Sequence, residues 1–363
     1  MKDHFYAVIM AGGGGTRLWP VSRQKTPKQL IQIFENRSPF QMAINRLDGF
    51  IPVKQIYVVT VVDQVKLLHQ QAPKLKKRNF LIEPQPRGTA AVVAMAAAAI
   101  HKQDPEAVLA ILTADHMIKN IPRFRESLKH AQEIASSGFI VLLGINPTHP
   151  ATGYGYIESG ARIEQFAQKN AYHVKRFTEK PDSMRAEEFF QTPGMTWNSG
   201  MFISRADILL EEYHKFMPEL SSILDDLAPY LGKDHLGQEF VQRWADIIPQ
   251  TIDYGIIEKT SRTAVLKVED LGWNDIGSWD SFFEIASADA NGNIILESSH
   301  LGLDTQNSLV VSTDPNQLVV TLGVKDMIII QTQDALLICP RGESQRVKDL
   351  VTYLKENQFT NFI

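Results

Sequence analysis

The chain has a single cysteine, Cys339, so no internal disulfide framework holds it together, and the composition suits a reducing compartment, the cytoplasm. It has no long hydrophobic run. The longest small-apolar stretch, residues 90–100, is well short of the roughly 18 residues that span a bilayer. The apolar run 5–11 is broken at once by four glycines and Arg17, which fits a buried strand and not a signal peptide. Neither sign of charge dominates: the formal net charge is −4, and nothing in it calls for nucleic acid or an anionic membrane. Any anion must then be met by a locally basic site. No low-complexity tract or long-period repeat is present.

What is present is an ordinary globular composition, 44% hydrophobic and 21% charged over 363 residues, enough for a large α/β domain and a smaller second one. Apolar runs at 5–10, 55–62, 108–113 and 139–145 read as buried strands. Helical patterns lie between them at 89–102 and 121–136, and the first is so alanine-rich that close packing on a sheet is expected. The alternation predicts a Rossmann-like α/β domain with a mixed, mostly parallel central sheet. Strands at 173–178 and 200–204 and helices at 185–191 and 208–216 continue it. After about residue 290 the texture changes to short β runs, 309–312, 318–322, 327–331 and 335–339, separated by turn residues such as Asp314-Pro315-Asn316. A final amphipathic helix sets Val347, Leu350, Val351 and Leu354 on one face. The expected division is a catalytic domain over 1–288 and a small β-rich domain over 289–363.

The strongest chemical signal is Ala11-Gly12-Gly13-Gly14-Gly15-Thr16-Arg17-Leu18, directly after the first strand. Glycines there let a ligand approach the backbone N–H groups, and a loop leaving a strand end is where an open α/β sheet binds nucleotides. No Gly-Lys-Ser/Thr follows, so it is not a Walker loop, and the spacing of a dinucleotide fingerprint is missing. A tight turn is the plain alternative. The basic residues Arg17, Arg23, Lys25 and Lys28 favour a ligand: Arg17 offers a forked donor and Lys28 a compact charge. Arg23 and Lys25 stand evenly between that role and a solvated basic face. Asp115, in Thr113-Ala114-Asp115-His116, lies at the carboxyl end of a strand, where an isolated aspartate would be read as a cap. A second acid, Asp275, sits in Trp273-Asn274-Asp275-Ile276-Gly277.

As an ordered set these blocks resemble the sugar-1-phosphate nucleotidyltransferases, and Leu18-Trp19-Pro20 with Pro27-Lys28-Gln29 resembles the mannose-1-phosphate guanylyltransferase branch. The resemblance runs from Val8 to about Trp279, and it departs from the usual pattern at Gly14, commonly Ser, and Gly88, commonly Asn. It implies that residues 11–17, Lys28, Arg87, Gly88 and Thr89 bind the nucleotide. It implies that Asp115 and Asp275 together hold Mg²⁺, the hard cation that phosphoryl chemistry prefers, with His116 structural. On the sugar-phosphate side it implies Gly153, Tyr154, Gly155, Glu179, Lys180 and Asn198, with a structural or sugar-side role for Asp253. Arg17, Lys28, Asp115, Lys180 and Asp275 are the implied catalytic set.

The implied reaction is in-line transfer of a guanylyl group from GTP to mannose 1-phosphate, giving GDP-mannose and pyrophosphate. The attacking phosphate is already an anion, so positioning and charge neutralisation are the whole task. A homodimer is expected, with the C-terminal β module as a candidate assembly surface, and neither nucleic acid nor membrane as a partner. The large isomerase domain of bifunctional relatives does not fit within this length. Alternatives are thymidylyl or uridylyl transfer to glucose 1-phosphate, guanylyl transfer to a heptose 1-phosphate, and a non-catalytic regulatory homologue. A nicotinamide-dependent dehydrogenase explains neither the two acids nor Phe177-Thr178-Glu179-Lys180-Pro181.

Overall fold

The computed structural model describes residues 4–13, 15–32, 37–231, 237–314 and 316–363. Gly14 and Pro315 lie outside the described residues. The chain forms two compact units that interleave along the sequence. The larger comprises Met1–Gly12, Ile44–Ala114 and Ile118–Trp273; the smaller comprises Gly13–Ala43, Asp115–Met117 and Asn274–Ile363.

The larger unit is built on a nine-stranded sheet. Its strands are β1 (Phe5–Met10), β2 (Ile56–Val61), β3 (Phe80–Glu83), β4 (Val108–Thr113), β5 (Ile140–Ile145), β6 (Tyr156–Arg162), β7 (Ala171–Thr178), β8 (Met195–Arg205) and β9 (Thr263–Val268). They stand in the order β3-β2-β1-β4-β8-β5-β9-β7-β6. The first four are parallel, as continuous apolar strands joined through helices should be. β8 then runs antiparallel to both β4 and β5, so the sheet is mixed. β8 begins at Met195, five residues before the apolar run suggested, because Thr196 and Asn198 interrupt the hydrophobic pattern while still pairing in the ladder.

The alanine-rich helix Gly88–His101 is buried on nearly every side. Small side chains bring it close to the helix Ala206–Phe216, where the Tyr213 hydroxyl donates to Ala90 O at 2.8 Å. The start of β1, an interior strand beside β4, is pinned by a polar cluster. His4 Nδ1 lies 2.8 Å from both oxygens of Asp104, and the Tyr6 hydroxyl donates to Asp104 Oδ2 at 2.9 Å.

In the smaller unit, β10 (Ile294–Leu296), β12 (Leu309–Ser312) and β14 (Met327–Gln331) stack in parallel, and β15 (Leu336–Pro340) closes the stack antiparallel. A second parallel pair, β11 (Ser299–Leu303) and β13 (Leu318–Leu322), forms another face of the same coil. Ile294, Leu309 and Ile328 lie in one ladder and in one buried cluster, which shows how equivalent positions of successive turns share a core. The helix Val347–Glu356 presents the expected face: Val347 and Val351 are buried in a cluster with Leu18, Trp19 and Trp279, and Leu350 and Leu354 pack against it. No helix among the described residues is long and apolar enough to cross a membrane.

Burial pushes the Asp104 carboxyl up, but the bonds from His4 and Tyr6 and the charge of His4 outweigh it and hold it below its ordinary value. A lowered carboxyl contributes stability above its unfolded value and loses it as pH falls through the folded one. Asp104→Ala should therefore lower unfolding free energy by about 1–3 kcal/mol at neutral pH, through loss of bonds to a buried charge. The measurement is the urea midpoint, which should fall at unchanged slope, with a difference that shrinks in acid.

Candidate active site

The glycine-rich loop leaves β1 with its backbone tied down. Ala11 N donates to Val59 O at 2.8 Å, and the Thr60 hydroxyl donates to Ala11 O at 2.9 Å. Gly12 faces an acid: a Cβ there would stand 2.7 Å from Glu83 Oε1. In the smaller unit Gly13 O accepts from Gln29 Nε2 at 3.1 Å. Gly15 takes φ +59 and caps the short helix Thr16–Leu18; a Cβ there would lie 2.3 Å from that of Lys28, so only glycine fits. Arg17 is exposed on that turn. Arg23, left open between two readings, is structural: its side chain donates to Pro20 O at 2.6 Å, to Asp334 at 2.8 Å and to Phe362 O.

Lys28, Asp115 and Asp275 come together within the smaller unit. The buried Lys28 ammonium donates to Asp115 Oδ2 at 2.8 Å and to the Asp275 carbonyl at 2.5 Å. Desolvation pushes the Asp115 carboxyl up, but the Lys28 charge, then that of His116 and the Lys28 hydrogen bond, outweigh it and hold it below the usual carboxylate value. Its side chain is still 36% exposed, so a charged oxygen remains accessible. His116 Nε2 is 3.9 Å from Asp115 Oδ1. The Asp275 segment is held in a tight turn by its own side chains. Asn274 Oδ1 accepts from Ile276 N at 2.7 Å, and Asp275 Oδ1 accepts from Gly277 N at 2.9 Å. Ile276 sits at φ +47, an unfavourable conformation for a β-branched residue, and is buried beside Trp279 in the small unit's core.

The expected sugar-side residues gather in the larger unit. Lys180, at φ +44, turns the chain away from β7 and donates to Glu179 Oε1 at 2.7 Å. Burial pulls the Lys180 ammonium down, but Glu179 and Asp253 outweigh that and raise it. Glu179 Oε2 stands 2.5 Å from where a Gly155 Cβ would be, and Asn198 N donates to Gly155 O at 2.7 Å. The Asn198 carboxamide is gripped at both ends: Oδ1 accepts from Gly200 N at 3.0 Å and Nδ2 donates to Asp253 Oδ1 at 3.1 Å. Gly153 has open space around it. Tyr154 joins an aromatic cluster, 5.0 Å from the Trp197 ring and 5.2 Å from that of Trp273.

The segment Glu83–Thr89 is anchored to residues 244–252. Arg87 Nη2 donates to Ala245 O at 2.6 Å, Trp244 Nε1 to Gln85 O at 2.9 Å, and Ile252 N to the Thr89 hydroxyl at 3.1 Å. Gly88 takes φ +83, and a Cβ there would lie 2.2 Å from Gln250 O, so the Gln250 backbone fills the space a side chain would need. Glu83 is a site candidate that the sequence pattern does not single out. It is buried at the end of β3, burial pushes it up to about 7 against one backbone bond from Arg87, and its Oε2 has no partner among the described residues. The available signal was an acid ending an apolar strand beside the glycine-rich one.

Among the described residues no group of three or more His, Cys, Asp or Glu converges as a metal cage. One ammonium instead joins two carboxylate-bearing segments behind the glycine loop, and Glu179, Lys180, Asn198 and Asp253 form a separate polar cluster.

Comparison with known proteins gives the class first: the Nucleotidyl transferase family profile matches residues 6–292, and the MannoseP isomerase/GMP-like beta-helix domain matches 298–354. Mannose-1-phosphate guanylyltransferases of Klebsiella pneumoniae and Escherichia coli are each 36% identical over 361 residues, 98% of this chain and 75% of theirs. The crystal structure of mannose-1-phosphate geranyltransferase from Thermus thermophilus matches at a TM-score of 0.87 and 30% identity, over 97% of this chain and 100% of that one. The chain belongs to the mannose-1-phosphate guanylyltransferase family of nucleotidyl transferases.

The Gly88 geometry predicts that Gly88→Asn, the residue common in the resemblance, is overpacked here, costing about 1–3 kcal/mol as the Gln250 backbone moves. Thermal unfolding checks this: the melting temperature should fall, whereas an unchanged one would mean that the segment adjusts freely.

Proposed function

We propose that the chain transfers a guanylyl group from GTP to mannose 1-phosphate, releasing pyrophosphate. The observation that carries this reading is the Lys28 ammonium bonded to both aspartate segments, since it keeps an exposed carboxylate charged where a metal–phosphate complex can meet it. Asp115 and Asp275 are the proposed ligands of Mg²⁺. The donor set fits: magnesium is content with one or two carboxylates when phosphate oxygens and waters complete its shell, so a fuller protein cage is not required. Bound there, the ion supplies neutralisation of the phosphate charge.

The chain's own groups have these proposed roles. Backbone N–H groups of Ala11–Thr16 and the exposed Arg17 guanidinium bind the triphosphate. Lys28 holds Asp115 ionised and adds positive charge beside the phosphates. Lys180 meets the sugar phosphate, and Glu179 and Asn198 bond sugar hydroxyls, with Gly153, Tyr154 and Gly155 forming the backbone beside them. The nucleophile needs no general base.

Glu83 favours guanine over the other bases. Guanine presents adjacent N1–H and N2–H donors, which a carboxylate can accept in a fork; uracil and thymine offer one donor between two acceptors, and adenine a donor beside an acceptor. A buried carboxylate with an unpartnered oxygen lacks such donors. Arg87, Gly88 and Thr89 support the base-binding segment through their bonds and close contact with residues 245–252. We place the reaction in the cytoplasm and take the working form as a homodimer. Burial, then Asp280 and Glu343, push the lone thiol, Cys339, up to about 11, which disfavours its thiolate form.

Pyrophosphate release, with GTP, ATP, UTP and dTTP crossed against mannose, glucose and heptose 1-phosphates, tests the reading. Turnover is expected with GTP and mannose 1-phosphate, falling by about 10²–10³ in Asp115→Ala and Asp275→Ala. Turnover with another pair would keep the chemistry and overturn the substrates. Because the Glu83 carboxylate must be ionised to accept both guanine protons, the KM for GTP should rise as pH falls through about 7. Glu83→Gln should raise it at all pH values and abolish that inflection.

A further inference from the structure

Asp253 is an acid where a neutral side chain would have been cheaper. It opens the one-turn π-helix Asp253–Ile257, seated tightly because Gly255 has no Cβ: one would lie 2.4 Å from Met217 Sδ. Its carboxyl is pushed up to about 6, first by burial and then by the Glu179 charge, against its own backbone bond, Lys180 and the Asn198 hydrogen bond. The charged and titratable groups around it are Glu179 and Lys180 at the end of β7 and the buried Tyr213 of the helix Ala206–Phe216. An Asn at this position would escape both penalties, so the acid must do something that an unoriented amide does not.

What it does follows from the Asn198 carboxamide. Oδ1 is engaged by Gly200 N and one Nδ2 proton by Asp253 Oδ1, which leaves the second Nδ2 proton without a partner among the described residues. The Gly200 N–H only donates and the Asp253 carboxylate only accepts, so together they fix both ends of the amide and its plane. We infer that Asp253 is a positioning residue of the sugar site, holding the Asn198 amide so that its second N–H is always offered to a ligand hydroxyl beside Gly155 and Glu179. This deepens, and rests on, the sugar-phosphate reading of that cluster. Asp253 need not touch the sugar; it acts through Asn198.

The experiment compares wild type with Asp253→Ala and Asp253→Asn, measuring kcat and the KM of each substrate from pH 5.5 to 8. The sugar phosphate used is whichever member of the panel wild type turns over. Asp253→Ala should raise the sugar-phosphate KM by roughly tenfold or more, the scale of a lost bond to a charged partner, and leave the GTP KM within about twofold. Asp253→Asn keeps an acceptor oxygen, so it should recover most of that affinity at neutral pH. It should also lack an inflection near pH 6 that wild type shows, the wild-type sugar-phosphate KM rising as pH falls. The titration of the substrate's own phosphate is common to all three proteins and cancels. A sugar-phosphate KM within twofold of wild type in Asp253→Ala, or equal rises in both substrates' KM, overturns the inference. If Asp253→Ala does not fold, Asp253→Asn decides alone: an unchanged inflection overturns it. Wild-type turnover with a sugar phosphate other than mannose 1-phosphate would fail the substrate reading while leaving this comparison intact.

Discussion

Lys28 reaches across from the segment behind the glycine-rich loop to grip Asp115 and the backbone of Asp275, and most of the site's chemistry depends on that contact. A carboxylate beside a triphosphate faces two penalties, loss of water and repulsion from the phosphates, and either would push it towards its neutral form. The ammonium offsets the first before any ligand arrives, so Asp115 remains an anion while still partly exposed. The same contact fixes the loop: Gly15 is squeezed against the Lys28 Cβ and takes a left-handed turn that launches Thr16–Leu18.

The other two buried acids that matter are treated differently. Among the described residues Glu83 and Asp253 have no such cation bonded to them, and burial lifts them to about 7 and about 6. Both face hydrogen-bond donors, one an expected nucleobase and the other the Asn198 amide. Glu83 and Glu179 each bring an oxygen up to a glycine, Gly12 and Gly155, into space that a Cβ could take only if the carboxylate moved. The proposed selectivity rests on acids seated against glycine backbone, and the proposed charge handling on the lysine-held pair.

Much of the fold was legible. The runs 5–10, 108–113, 309–312, 318–322 and 327–331 and the helix 121–136 stand where hydrophobic period and turn residues put them, because each is bounded locally by Gly, Pro, Asn, Asp or Ser. Interleaving of the two units was not legible: Gly13–Ala43 packs with a β coil some 260 residues later, and no local pattern encodes that. The partnership of Lys28 with Asp115, 87 positions apart, was hidden for the same reason. Glu83 went unmarked because an acid before a proline reads as a surface residue; only its burial and unpartnered oxygen distinguish it. Gly88 looked like a lost side chain, and the structure shows the Gln250 backbone in that space.

The central claim is that Asp115, kept ionised by Lys28, is a metal ligand for a bound nucleotide. Binding of Mn²⁺, followed by its electron paramagnetic resonance signal in the presence of GTP, tests it most directly. The account predicts nucleotide-dependent binding of one ion per chain, weakened at least roughly tenfold in Asp115→Asn with the fold intact. Equal Mn²⁺ affinity in that variant would contradict it.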